Sequence, residues 1–142
     1  MLQPKTITGD FPKENEMYIS HLSGGIRKPL FRQRFLVQSG EQLIPVASKE
    51  IAYFYAEDRW TYLITKSNKR YLVDYKLKDL ENMMHPDHFF RINRSYMMNR
   101  ESILCLSPYL KGQLKVRVEP HVSSQIVVSR AKTPLLKQWL GS

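Results

Sequence analysis

From residue 34 onward the apolar residues come in short runs, each closed within a few positions by a turn former. That pattern constrains the fold more than any other feature, because runs this short cannot build long amphipathic helices but do build strands. "RFLVQSGEQLIPV" sets two such runs around Ser39-Gly40-Glu41, a hairpin signal, since glycine takes a left-handed backbone without steric cost. A single helical turn over 48–50 is expected before a strand over 51–55. "RWTYLITKSNKRYLVDY" is a second hairpin, turning at "KSNK", where Asn68 suits a left-handed position. "FFRIN", "SILCLSPYL" and "SQIVVS" read as further strands, and "LKGQLKVRVE" turns at Lys111-Gly112 into a strand whose Leu114, Val116 and Val118 alternate inward.

Only two stretches have helical period. Leu77, Leu80 and Met84 form one apolar stripe, with Asp74 as the expected cap and Pro86 as a stop. Near the terminus, Thr133-Pro134 offers an N-cap and a proline at the first helical position, leading into "LLKQWL". The expected fold is therefore mainly β, with about ten short strands in small antiparallel sheets, one central short helix and a C-terminal helical segment. Residues 1–34 read as a basic flexible linker, polar and broken by Pro and Gly, with a short helix possible at "ENEMYISHL". Residues 35–142 form the domain. The linker suggests a further domain upstream in a longer natural protein.

Cys105 is the single cysteine, which excludes an internal disulfide and suits a reducing compartment. No apolar run approaches the roughly 20 residues of a spanning helix, and the start lacks the order of a secretion signal. The expected location is cytoplasmic, away from any membrane. The net charge of +9 is unevenly placed. Residues 1–34 hold six basic and three acidic groups, and residues 35–87 hold seven and eight. Residues 88–142 hold nine basic groups against Glu101 and Glu119 alone. An excess of that kind in one third points to an anionic partner, against the plainer reading of a solvated basic face.

No catalytic constellation is legible. His21, His85, His88 and His121 lack the companion ligands that zinc requires, so no metal is expected. "SRAK" matches a Ser-x-x-Lys pattern without its companion motifs, and no glycine-rich phosphate loop is present. Neither enzymatic activity nor a cofactor is expected.

The stretch "HPDHFFRINRSYMMNR" carries the functional argument. Arginine grips guanine with two parallel hydrogen bonds, and asparagine does the same for adenine. Lysine, serine and backbone amides hold phosphates and set orientation. Phe89, Ile92 and Tyr96 alternate as a half-buried strand would, so Phe89 and Phe90 read as core. A tight turn at "NRS" would hold Arg94 outward on a rigid stem. Asn99, after Met97-Met98, reads as a residue that bonds backbone in a turn.

"FFRINRSYMMN", followed by a strand near Ile103, resembles the signature of LytTR-type DNA-binding domains, Phe-hydrophobic-Arg-x-x-Arg/Asn-Ser-x-hydrophobic-hydrophobic-Asn. "IPVASKEIAYFYAEDRWTYLIT", "RYLVDYKLKDLENMM" and "IVVSRAK" resemble the family's opening strands, pre-helix segment and closing element, so the likeness runs over about 34–140. It implies loops that enter successive major grooves of double-stranded DNA. It also implies dimers on paired direct repeats, transcriptional control, and a receiver domain upstream, as in bacterial two-component response regulators of the LytR/AlgR type. Carried over by position, base contacts fall at Trp60 or Thr61, at Arg94 with Asn93 beside it, and at Arg130. Trp60 departs from the histidine or other polar reader that many members carry. Backbone contacts fall at Arg59, Arg91, Ser95 and Lys132, with a structural ion pair as the other reading of Arg91. Lys66, Lys69 and Arg70 read as solvated charge. The alternative from another class is a protein-interaction or dimerisation module with an acidic partner. RNA binding would call for exposed aromatics on a sheet face, which the alternation disfavours.

Overall fold

The computed structural model describes residues 30–142; most of the expected linker, with its short helix, lies outside the described residues. Ten strands and two α-helices follow in order: β1 (Arg34–Ser39), β2 (Gln42–Ala47), β3 (Ile51–Glu57), β4 (Trp60–Thr65), β5 (Arg70–Val73), α1 (Leu77–Met83), β6 (Phe89–Arg91), β7 (Tyr96–Asn99), β8 (Ile103–Pro108), β9 (Leu114–Val118), β10 (Ile126–Val128) and α2 (Thr133–Leu140). All strand pairs are antiparallel. They make a β1-β2 hairpin, a five-stranded sheet in the order β5-β4-β3-β7-β6, and a three-stranded sheet in the order β10-β9-β8. The turns fall where left-handed residues were expected, with φ of 64° at Gly40, 68° at Asn68 and 48° at Lys111.

The five-stranded sheet is the middle layer, and each of its faces is covered. Phe54, Leu63 and Met97 point into one core with Phe35 of the hairpin and Leu77, Leu80 and Met84 of the α1 stripe. Tyr53, Ile64 and Met98 point the other way, into a core completed by Val116, Val128 and Leu136. Neighbouring residues thus serve different cores, which follows from the period of two. It also explains why "IAYF" and "YMM" are apolar without a break: a strand buried on both faces has no polar face to alternate with. Phe54 is fully buried, so truncating it to alanine should cost about 3–5 kcal/mol.

Two helix caps differ from expectation. The chain bends at Asp74 without starting the helix, and Lys76, in an extended conformation, occupies the cap position of α1 with no side-chain hydrogen bond. Thr133 is the first residue of α2 and not its cap; its hydroxyl donates back to the Ser129 carbonyl at 2.9 Å. Asn99 behaves as read: its amide donates to the Ile51 carbonyl at 2.8 Å and its oxygen accepts from the Glu101 amide at 2.9 Å.

Candidate nucleic-acid interface

Strand register decides which loops share an end of the molecule. Glu57 pairs with Trp60 across the β3–β4 turn, and Tyr55 pairs with Tyr96 at the start of β7. The β3–β4 turn and the β6–β7 loop therefore leave the sheet at the same end, joined where the Ala56 amide donates to the Ser95 carbonyl at 2.8 Å. The end of β10 comes to the same place, because the Asn93 side-chain amide donates to the Val127 carbonyl at 2.9 Å. The segment 129–132 follows directly. A fourth element arrives through Gly112, between β8 and β9, where an added Cβ would lie 2.8 Å from Cδ of Arg130. The Arg130 side chain thus lies across that turn, and glycine there, at φ 81°, serves both the backbone and the close approach.

Arg94 stands exposed at the tip of the β6–β7 loop, and the loop beneath it is braced from several directions. Asn93 Oδ1 accepts from the amides of Ser95 at 2.8 Å and Tyr96 at 3.0 Å. The Arg91 guanidinium donates to the carbonyls of Asn93 and Arg94, each at 3.1 Å, and meets Glu81 of α1 at 3.4 Å. Asn93 thus has its oxygen and one amide hydrogen on backbone groups of its own loop and of β10. Arg91 is half-buried, bonded to the loop and paired with Glu81, the geometry of its structural ion-pairing reading.

At the β3–β4 turn the choice between Trp60 and Thr61 resolves by pleat. Thr61 lies on the same face as Leu63 and is buried at 6% exposure. Trp60 points the other way and is 47% exposed. Arg59 is exposed beside Asp58, whose φ of 59° makes the tight turn. Arg130 is exposed, whereas Lys132 is half-buried with its ammonium 5.4 Å from the centre of the Phe90 ring. Burial pushes the Lys132 pKa down; Glu81 pulls it back up and Arg91 adds to the depression. Among the described residues no carboxylate pairs with Arg59, Arg94 or Arg130.

Behind these loops runs a ladder of rings. Tyr55 stacks between Tyr62 at 5.2 Å and Tyr96 at 5.7 Å, and the Arg70 guanidinium sits 4.4 Å over Tyr62. The Tyr55 hydroxyl donates to Glu57 at 2.9 Å; burial first, and this bond second, raise its pKa. The ladder and the Gly112–Arg130 contact were not legible beforehand. Each depends on which strands become neighbours, which no local pattern in the sequence names.

Residues 41–141 match the model of the LytTr DNA-binding domain. The chain belongs to this LytTR family. Its fold is that of the solved LytTr DNA-binding domain of a response regulator from Bacillus cereus, with a TM-score of 0.68 at 21% identity over 78% of this chain and 99% of that one. The transcriptional regulatory protein YpdB of Escherichia coli K12 is 24% identical over 69% of this chain but only 39% of its own length. The sensory transduction protein LytT of Oceanobacillus iheyensis is 27% identical over 74% of this chain and 42% of its own. The chain thus spans less than half the length of these relatives. LytTR domains are DNA-binding and not enzymatic, and the mainly β architecture expected from the sequence is the one observed. Among the described residues no helix is long and apolar enough to cross a membrane.

Proposed function

We propose that this LytTR domain is the output part of a transcriptional regulator and reads double-stranded DNA through the loop end of its central sheet. Arg94 and Arg130 are the base readers, each able to take a guanine edge bidentately from the major groove. Trp60 lies beside them, where its ring would make apolar contact, as with a thymine methyl. Arg59, Ser95 and Lys132 hold phosphates and fix the approach. The readers sit on loops rather than on a recognition helix, which is why the braces beneath them carry so much of the argument.

The observation that carries this reading is the convergence of Arg94 and Arg130 at one end. Both are exposed and without a carboxylate partner among the described residues, on loops tied together through Asn93 and Val127. A solvated basic face needs no such bracing. The names of the relatives, a transcriptional regulatory protein and a sensory transduction protein, support a regulatory role. The receiver domain upstream, the dimer on paired direct repeats and the cytoplasmic site of action are part of the same proposal and rest on the family resemblance.

Selection of bound duplexes from a random pool tests the proposal. The wild-type domain should enrich one short sequence. Arg94→Ala and Arg130→Ala should each lose about 1–3 kcal/mol on that sequence and relax base choice at different positions. Retention of full discrimination by both variants would remove the assigned readers.

A further inference from the structure

We propose that Asn93 is a positioning residue that locks the two reading arginines at one separation, so that the domain demands a fixed spacing between the bases they read. This inference rests on the DNA reading above. An asparagine side chain has one acceptor oxygen and one donor amide, and here each faces a different element. The oxygen closes the loop that carries Arg94, through the amides of Ser95 and Tyr96. The amide reaches the Val127 carbonyl at 2.9 Å, immediately before the segment that carries Arg130.

The two elements belong to different sheets. β6 is an edge strand of the five-stranded sheet and β10 is an edge strand of the three-stranded one. Among the described residues no other side-chain hydrogen bond joins the β6–β7 loop to β10. Apolar packing of Ile92 and Val128 holds the layers together, but such contacts are non-directional. Arg100 and Trp139 tie α2 to the far ends of β6 and β7, so the Asn93–Val127 bond is the directional tie nearest the two arginines and the one placed to set how far one stands from the other. Its register transmits to both tips, because Arg91 fixes the carbonyls of Asn93 and Arg94 on one side and Gly112 gives Arg130 its bed on the other.

Two variants of the full chain separate bracing from bridging. Asn93→Ser keeps a short acceptor for the loop amides, adds no charge and cannot reach Val127. Asn93→Asp keeps the acceptor at full reach and turns a carboxylate oxygen toward the Val127 carbonyl. In protein without DNA, backbone amide relaxation should show more motion at both Arg94 and Arg130 in each variant, with core amides unchanged. In the duplex selection, Asn93→Ser should lose about tenfold in preference for the wild-type site over random duplex, the size of one lost hydrogen bond. Its enriched sites should also spread in spacing between the positions that Arg94→Ala and Arg130→Ala relax. Equal weakening on all duplexes with spacing unaltered overturns the proposal, as does added motion confined to Arg94. If wild-type protein enriches no duplex, the DNA reading falls, while the relaxation result still decides whether Asn93 couples the two loops.

Discussion

The two ends of the central sheet are both rich in cations, yet they treat them in opposite ways. At the end formed by the β4–β5 turn and the turn after β7, charge is answered locally. Lys66 pairs with Glu101, and Arg100 lies 4.9 Å over the Trp139 ring while donating to the Trp139 carbonyl. At the loop end, Arg59, Arg94 and Arg130 meet no carboxylate among the described residues. There the polar partners go instead to the backbone that carries the arginines, through Asn93 and Arg91. Charge alone is common to both ends; a cation held out by a braced loop and left unanswered is the feature on which the proposed interface rests. Exposed ion pairs contribute little to stability, so the first end gains chiefly solubility and local order.

The largest expected effect comes from stripping each end in turn. The pair Arg94→Ala and Arg130→Ala should cost about 1–3 kcal/mol per residue in affinity for a preferred duplex. It should also lower the salt dependence of whatever binding remains if either arginine additionally touches phosphate, by about 0.9 in the log–log slope per contact. The pair Lys66→Ala and Lys69→Ala should leave affinity and slope where they were. Titration of labelled duplex at several salt concentrations reads both. Equal losses at the two ends would mean that DNA sees the whole basic surface, and the contrast would disappear.

How far the sequence revealed this contrast varied by element. Strands, turns and the α1 stripe were legible because they depend on local rules: the period of two, left-handed residues at turns, and a leucine spacing of one helical face. The tips at Arg94 and Arg130 were legible through the family resemblance. The bond of Asn93 to β10 was not, since its amide meets a carbonyl 34 residues away and no local rule names that partner. The burial of Thr61 went unread for a simpler reason. That residue lies one pleat from Trp60, and a neighbouring residue on a strand faces the opposite side of the sheet. The caps at Asp74 and Thr133 failed because a capping residue type is common just outside helices, and tertiary packing chose where each helix began.

A smaller effect probes the layer that supports the loop end. Tyr53 packs in the second core 5.9 Å from Tyr96, and burial first, with Tyr96 and Tyr55 beyond it, pushes its pKa up to about 12 from 10.0. A raised acid keeps its proton longer folded than unfolded. Between pH 10 and 12 the unfolded chain has released it and the folded chain has not, so stability falls as pH rises through that window. Two pKa units set a ceiling of about 2.7 kcal/mol, and partial solvent screening brings the expectation nearer 1–2 kcal/mol. Urea denaturation of Tyr53→Phe against wild type should show a shallower alkaline decline. Duplex affinity at neutral pH should be unchanged, and a loss there would make the tyrosine layer part of the reading apparatus instead of its support.

The smallest effect belongs to the answered end. Lys66 holds the Glu101 carboxyl below its ordinary value of 4.5, by hydrogen bond first and charge second, with His88 adding slightly. A lowered acid contributes stability above its unfolded pKa and loses it as pH falls through the folded one. Lys66→Ala should therefore lower stability slightly above about pH 4.5 and match wild type again as pH falls through the folded value, by an amount that full exposure of Glu101 keeps close to the limit of detection in thermal melts. The same variant should bind a preferred duplex as wild type does. The two results together discriminate: a cation whose removal shows in melting near neutral pH, but neither in acid nor in DNA binding, is answered within the molecule, and Arg94 should show in DNA binding alone. If Lys66→Ala instead weakened DNA binding as Arg94→Ala does, its pairing with Glu101 would be incidental, and local neutralisation would no longer separate one end of the sheet from the other.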